Sequence, residues 1–484
     1  MTAVLTRPAP PAGRTIRPSR FDAAVRLAAA GTTWAAMLLV GYWWAADGGI
    51  TDLGGWQSGL LSAGRITGLE ASVLLLVQVL LMARIPVLEK AFGQHRLANI
   101  HRLVGFTSFT AMLAHLGLIV WGYAAGDLAA TPAQLWDLTV NYPGMLLAVA
   151  GTACLIMVVV TSVKAARRRL RYESWHLLHL YAYLGVGLAL PHQLWTGQEF
   201  TESVARTMFW WSLWAAAVLP TVIWRVATPL WRSARYRLRV SAVVDEGESV
   251  VSVWMTGRGA PIRAEAGQYF TFRFLDRRGW TRGNPYSLSA APEPHRLRIT
   301  ARTVGDGSRE LARLRPGTRV LIEGPYGRLS ERARTRRGIV LIGAGIGLTP
   351  LRALAESAAY APGEATLLYR FTGRPLFTGE LRELARRRGL QLIHLPGHRR
   401  RRSSWLGQAP AQLDDGQALR RLVPDIAGRD VYVCGPQEWV EDVCRAAAAA
   451  GVAPEQLHRE SFAMAGQARP LRGEPHAVER ESST

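Results

Sequence analysis

Hydrophobic positions along this chain change their period near residue 236. Before it, apolar residues run in stretches near 24–46, 63–83, 100–123, 143–163, 175–196 and 207–230. A bilayer core ~30 Å thick needs about 20 apolar residues in a helix, so this half predicts six membrane-spanning helices. Beyond 236 the pattern alternates with period two in "YRLRVSAVV", "VVSVWMT", "QYFTFRFL", "RLRITART" and "RVLIEGPYG", which predicts a small antiparallel β-barrel. From "GIVLIGAGIGLTPLRAL" (338–354) onward, the apolar runs "ATLLYRF", "LQLIHL" and "VYVCGP" alternate with helical segments. That is the pattern of a parallel, doubly wound α/β sheet. The expected organisation is a tail at 1–23, a membrane domain at 24–232, a β-barrel at 236–330, an α/β domain at 338–462 and a second tail at 463–484. The Pro- and Arg-rich opening "MTAVLTRPAPPAGRTIRPSR" lacks the apolar core of a signal peptide. Both tails are expected to be disordered.

Charge orients the spans. Basic residues gather in one set of loops: Arg7 to Arg26; Arg84, Lys90 and Arg96; "KAARRRLR" at 164–171; and Arg232 to Arg237. The alternate loops carry Asp47, Asp52, Asp127, Asp137, Glu199 and Glu202 against only Arg65 and Arg206. Cytoplasmic loops are the Lys/Arg-rich ones, so the N-terminus and everything after residue 231 are expected inside the cell membrane. The net charge of +22 otherwise invites a nucleic-acid partner. However, only two of the 58 basic residues are lysines, Lys90 and Lys164. An arginine-rich composition and the loop asymmetry account for that charge, and no nucleic-acid partner is expected. Cys154, Cys434 and Cys444 form no CxxC pair, which excludes a Cys₄ iron–sulfur centre, haem attachment through CxxCH and a disulfide framework.

Histidine sharpens the reading of the membrane half. Ionisable side chains are costly within a bilayer and mark functional sites. The third span, "NIHRLVGFTSFTAMLAHLGLIVW", carries His101 and His115; the fifth, "ESWHLLHLYAYLGVGLALPHQLW", carries His176, His179 and His192. Both spans run from inside to outside. At 1.5 Å rise per residue, His101 and His115 differ in depth by ~21 Å and His179 and His192 by ~19.5 Å. The two ladders match as His101 with His179 and His115 with His192. His176 matches less well, at ~24 Å from His192. Paired imidazoles at two depths suit two stacked, non-covalent b-type haems, each iron held from both sides. His101 and His115 share a helix face, whereas thirteen residues place His192 far round from His179 on an ideal helix. Pro191 beside His192 kinks the span and can alter that twist. Hydrogen-bonded structural histidines are the plain alternative.

The glycines of "GAGIG" follow a strand and open a helix, an arrangement that admits a pyrophosphate. With "NPYSLSAAP" (284–292), "RTVGDGSREL" (302–311), "EGPYG" (323–327), "GAGIGLTPL" (343–351), "VYVCGP" (431–436) and "ESF" (460–462) in that order, the second half resembles the ferredoxin–NADP reductase superfamily. Joined to the histidine-bearing spans, the chain from about residue 24 to 462 resembles the NADPH oxidase and transmembrane ferric reductase family. That resemblance implies an FAD site in which Tyr286 lines the flavin and Ser287 hydrogen-bonds near its N5. Gly305, Gly307 and Ser308 would hold the pyrophosphate, and Phe462 would cover the ring. Asn284 stands where the superfamily usually has a charged residue, so Arg302 or Arg282 is expected to support the pyrophosphate. Gly343, Gly345, Gly347, Thr349 and Pro350 would receive the nicotinamide nucleotide, with Cys434, Gly435 and Pro436 closing its nicotinamide side. Arg370 and Arg374 sit where a 2′-phosphate is bound, so NADPH is expected over NADH.

The expected function is an NAD(P)H-dependent transmembrane flavohaem oxidoreductase. Electrons from cytoplasmic NADPH would pass through FAD, the inner haem (His101/His179) and the outer haem (His115/His192) to an acceptor at the far face. Oxygen, giving superoxide, is the first expectation for that acceptor and a ferric chelate the alternative. A third reading makes the first half an anchor for a flavin reductase serving quinone or a partner protein. The sequence sets no oligomeric state.

Overall fold

The computed structural model describes residues 20–462 except 168–169, 171, 198–199, 201, 277–282, 304–305, 328, 400–403 and 408–413. Residues 1–19 and 463–484, together with Gly305 and Arg282, lie outside the described residues. The first half is helical: α1 (Arg20–Ala46), α2 (Gly49–Asp52), α3 (Trp56–Leu81), α4 (Pro86–Phe92), α5 (Gln94–Tyr123), α6 (Thr131–Asn141), α7 (Met145–Ser162), α8 (Lys164–Arg167), α9 (Tyr172–Trp195), α10 (Val204–Val222) and α11 (Thr228–Tyr236). Helix α1 begins four residues inside the segment read as a tail. Asp22 lies in its first turn, where a carboxylate complements the exposed N–H groups.

Five of these are long and apolar enough to cross a membrane: α1, α3, α5, α7 and the run from Val204 to Tyr236. Helix α9, expected as the fifth of six spans, is 24 residues long but falls outside that set, because three histidines and Pro191 dilute its apolar character. Helix α10 continues through a π-helical turn at Ile223–Ala227 into α11. The wider turn follows Pro220, which takes one N–H out of the helical ladder. A single helical run therefore crosses the boundary expected near 232–236 and ends against the second half.

Outward faces of the bundle are apolar. Trp34, Leu38, Phe106, Val204 and Met208 are between 63% and 78% exposed, as suits side chains facing lipid. Close helix pairing comes instead from small residues. Helix α3 packs along α5, and α7 along α9. A Cβ on Gly68 of α3 would lie 2.4 Å from His115 Nδ1, so only glycine leaves room for that ring.

The second half opens with β1 (Leu238–Gly247), β2 (Val250–Gly257), β3 (Tyr269–Phe274), β4 (Asn284–Ser287), β5 (Arg296–Arg302), the short helix α12 (Asp306–Leu311) and β6 (Val320–Tyr326). The strands expected in one barrel form two three-stranded antiparallel sheets, β1-β2-β5 and β4-β3-β6. Bridges at Arg239–Arg319 and Leu288–Ile299 tie the sheets together. Val253, Met255, Phe270, Phe272, Leu288 and Ile299 fill a common core between them.

Next come β7 (Gly338–Ala344), α13 (Leu348–Ser357), β8 (Ala365–Phe371), α14 (Thr378–Arg388), β9 (Gln391–Pro396), α15 (Asp415–Leu422), β10 (Arg429–Pro436), α16 (Gln437–Ala449) and β11 (Leu457–Phe462). The five strands form a parallel sheet in the order β11-β10-β7-β8-β9. Separate apolar cores cover it, one around Leu341, Leu351 and Leu367, the other around Val340, Trp405 and Val433. The chain leaves β7 toward β8 on one side and returns as β10 on the other. The crevice at the C-terminal ends of β7 and β10 is therefore the topological switch point, where such sheets bind ligands.

Candidate functional site

In the membrane half, the structure brings His101 and His179 together. Their ring centroids lie 6.2 Å apart with planes inclined by 63°. A metal about 2 Å from one nitrogen of each imidazole requires a separation of roughly this size. His101 Nδ1 donates to the backbone carbonyl of Gln78 at 3.2 Å, and His115 Nδ1 donates to that of Gly64 at 2.7 Å. A carbonyl accepts only, so both rings carry their proton on Nδ1 and present Nε2 with a free lone pair. This is the arrangement that orients metal-binding histidines. His179 Nδ1 lies 3.2 Å from Ser162 Oγ, which also accepts from Trp175 Nε1 at 3.3 Å. His192 is within electrostatic range of His115. The helices bearing these rings pack on α3 and α7, leaving rings rather than backbones to face each other. The donor set fits bis-imidazole iron ligation. His176 instead has Arg225, Arg273 and Glu323 as its charged neighbours, toward the second half.

In the first sheet pair, Asn284, Tyr286 and Ser287 share strand β4, and Arg302 closes β5 with its side chain exposed. Ser308 and Gly307 lie on α12. Burial pushes the Tyr286 hydroxyl well above its ordinary range, with Glu310 adding to the effect. Ser287 Oγ is buried and lacks a hydrogen-bond partner. A buried hydroxyl left unsatisfied costs free energy, so the position fits a ligand acceptor such as a flavin ring nitrogen.

At the switch point the structure gathers the expected nucleotide residues. Gly343 pairs with Cys434 across β7 and β10, and a Cβ on Gly347 would strike the Cys434 carbonyl oxygen at 2.3 Å. Thr349 Oγ1 donates to Ile346 O at 2.9 Å, closing the first turn of α13 beside Pro350. Gly345 has φ +55°, a left-handed turn that brings backbone N–H groups toward the crevice. Phe462 pairs with Pro436, and Gly435 with Ser461, along β11. Cys434 is fully buried, and burial drives its thiol well above the usual range. It is a packing residue there and no thiolate nucleophile.

Arg370 and Arg374 part company. Arg370 is 8% exposed, donates from one Nη to Gly397 O at 3.1 Å and has an unpartnered Nε. Burial and then Arg399 pull its pKa down. Arg374 is held by its backbone N–H, which donates to Glu248 Oε1 at 2.6 Å, and its side chain is exposed.

Two features had no residue-level expectation. Glu460, quoted only within "ESF", is half-buried with its Oε2 enclosed and unpartnered, and desolvation pushes its carboxyl up to about 8. Arg298 is 3% exposed and donates to both carboxylate oxygens of Glu380 at 2.7 and 2.9 Å, tying the sheet pair to α14. Arginine is so common in this chain that nothing in its pattern singles out Arg298.

Comparison with known proteins agrees with this division. Residues 67–190 match the family model described as ferric reductase like transmembrane component. The ferredoxin reductase component of 3-ketosteroid-9-alpha-monooxygenase from Mycolicibacterium smegmatis is 30% identical over 240 residues, 46% of this chain and 65% of that protein. NADPH oxidase 1 of Mus musculus is 25% identical over 272 residues, covering 47% of this chain and 44% of that protein. The chain thus spans less than two thirds of the length of these curated relatives. Among solved structures, the flavohemoglobin from Malassezia yamatoensis with bound FAD and heme aligns over 84% of this chain and 98% of its own, at 17% identity and a TM-score of 0.39. The chain thus carries a stretch similar to a ferric reductase like transmembrane component, and over 46–47% of its length it is similar to a ferredoxin reductase component and to part of NADPH oxidase 1.

Proposed function

We propose that this protein is an NAD(P)H-dependent transmembrane oxidoreductase that carries electrons from a cytoplasmic nucleotide to an acceptor on the opposite face. The observation that carries the reading is the facing of His101 and His179 at 6.2 Å, with His101 anchored through Nδ1. His101 with His179, and His115 with His192, would hold two haem b irons at two depths in a bundle of six spans, α9 included. When bound, FAD would divide a hydride's electron pair and haem iron would accept single electrons, chemistry that belongs to the cofactors.

The chain's own residues orient and exclude. Ser287 Oγ would offer a hydrogen bond to the flavin and Tyr286 would line its ring, while Asn284, Arg302, Gly305, Gly307 and Ser308 would hold its pyrophosphate and Phe462 would cover the ring. The Gly343–Pro350 turn and Cys434–Pro436 would receive the nicotinamide nucleotide. Arg370, its Nε free and Arg399 nearby, supports NADPH over NADH, since a 2′-phosphate dianion supplies the missing partner. The expected domains, a membrane bundle at 24–232, an FAD-binding barrel at 236–330 and a nucleotide domain at 338–462, would divide these roles, with α11 running across the first boundary.

Oxygen is the favoured acceptor. On the face opposite the reductase, Arg65 pairs with Asp52, and Arg206 with Asp47 and Glu202. That leaves acidic side chains in excess, and such a surface repels anionic ferric chelates while leaving a neutral molecule unhindered. A ferric-chelate reductase is the second reading, favoured by the family match at 67–190. The test is to reduce the FAD-supplied protein anaerobically with NADPH, then mix it with oxygen or ferric citrate while following the haem bands. Fast reoxidation by oxygen with superoxide as product is expected. Slow reoxidation by oxygen and fast reoxidation by the chelate would assign it to the second reading.

A further inference from the structure

Between the two candidate centres stands a joint built around Arg84. From the membrane side, Gln78 of α3 holds His101 through its carbonyl, and six residues later the chain reaches Arg84, between the end of α3 and Pro86 at the start of α4. Arg84 has φ +63°, a left-handed conformation that a non-glycine residue adopts at a cost and keeps only where its surroundings hold it. Those surroundings are specific. Its Nη1 donates to Glu89 Oε1 at 2.8 Å, in a pair only 19% and 15% exposed. Its guanidinium lies 4.5 Å over the ring of Tyr326 in β6 and sits close enough to the Tyr269 hydroxyl of β3 to act on it electrostatically.

From the reductase side, Tyr269 and Tyr326 are register partners with rings 5.6 Å apart, and Tyr326 donates to Glu323 at 2.8 Å. Tyr269 is also the register partner of Ser287, whose buried hydroxyl awaits an acceptor. One path, through the chain from Gln78 to Arg84 and by contact elsewhere, thus leads from the inner histidine to the candidate flavin position: His101, Gln78, Arg84, Tyr269, Ser287. A second tie runs parallel to it. Ser233 of α11 accepts from Ile322 N at 3.0 Å, its hydroxyl also lies 3.3 Å from Ile322 O, and Arg232 donates to the Gly324 carbonyl.

We propose that Arg84 is the positioning residue of electron transfer between the halves: it clamps the Tyr269–Tyr326 pair onto the membrane bundle and so sets where a flavin sits relative to the His101/His179 level. The proposal rests on the function proposed above. A cation held over an aromatic ring is attracted by the ring's face, more strongly out of water, and the buried carboxylate of Glu89 keeps the guanidinium aimed. Arg84 touches neither candidate cofactor position directly, so its loss leaves hydride acceptance intact and slows the next step.

The test uses the full chain loaded with FAD and haem, as wild type, Arg84→Met, Arg84→Lys and Tyr326→Leu. Three quantities are read: NADPH-driven reduction of ferricyanide, which draws electrons at the flavin; the rate at which NADPH reduces the haem bands under anaerobic conditions; and hydrogen exchange of the β6 amides. Arg84→Met should keep the ferricyanide rate and flavin content, slow haem reduction roughly tenfold or more, as small misplacements do, and lose β6 protection. Arg84→Lys should recover part of the haem rate, and Tyr326→Leu should reproduce the defect from the other side of the contact. Unchanged haem reduction in both Arg84→Met and Tyr326→Leu overturns the proposal. So does an equal fall in the ferricyanide and haem rates, which would mark a general structural loss. Wild-type haem bands that ignore NADPH overturn the underlying function and this proposal with it, a result visible before any variant is made.

Discussion

The membrane half buries few side chains and hangs its candidate ligands on single hydrogen bonds, whereas the reductase half encloses its site between continuous apolar cores. His101 and His115 each depend on one backbone carbonyl of α3. Gly343, Cys434 and their neighbours are held by a five-stranded sheet packed on both faces. A ligand ring in the first setting is vulnerable to a single added atom beside it. A residue in the second is buffered by many contacts, and its substitution changes chemistry before it changes structure.

The largest effect should therefore come from the smallest change in the membrane half. In Gly68→Ala the new Cβ falls on the His115 ring at 2.4 Å, and the variant should lose the haem of that level. Gly117→Ala, two residues from His115 in the same helix and with nothing within 4 Å of its Cβ, should keep it and gain a few tenths of a kcal/mol in helix stability, up to about 1 kcal/mol. Haem bands of the two purified variants make the comparison. If Gly68→Ala kept the full spectrum, the claim that the α3 contact positions His115 would fail.

A middle-sized effect is expected at Ser287. Its hydroxyl has no protein partner, so Ser287→Ala should leave the unfolding temperature of the cofactor-free protein unchanged or raise it, because no internal hydrogen bond is lost and an unsatisfied buried hydroxyl is removed. The same variant should slow NADPH-driven flavin reduction, by roughly tenfold if one well-placed hydrogen bond is lost. A fall in cofactor-free stability with normal flavin reduction would make Ser287 structural.

The smallest effect is a slope. Burial lifts the Glu460 carboxyl to about 8 from an ordinary 4.5. Between those values the folded protein holds a proton that the unfolded chain has released, so this group makes stability fall as pH rises through that window. Below it, both states are protonated and the group contributes nothing to the slope. Glu460→Gln should flatten the pH dependence of the unfolding temperature between about pH 5 and about pH 8. Parallel wild-type and variant curves would show an ordinary carboxyl.

The sequence made legible what depends on spacing. Depth along a helix is linear in residue number, so the pairing of His101 with His179 could be read from two intervals. The period-two and alternating α/β patterns likewise exposed both parts of the reductase half. What stayed hidden depends on partners that leave no side-chain signature. Every residue carries a carbonyl, so nothing marked Gln78 or Gly64 as the acceptors that orient the histidines. Glycines at 64 and 68 were the available sign of a close α3–α5 approach. Arg84 and Arg298 were indistinguishable from the many arginines around them until burial and neighbours set them apart, and burial likewise separated Arg370 from Arg374. Helix α9 has the length of a span, but His176, His179, His192 and Pro191 make it less apolar than the other five, which period and length alone do not register. The two sheets within the expected barrel follow from register, which alternation alone leaves open.

The central claim is that histidine pairs at two depths bind two haems, and a count of haem per chain by the pyridine haemochrome spectrum tests it most directly. The account predicts about two protohaems in the wild type, and one each in His115→Leu and His101→Leu. A wild type that takes up no haem, or histidine variants that retain both, would contradict it.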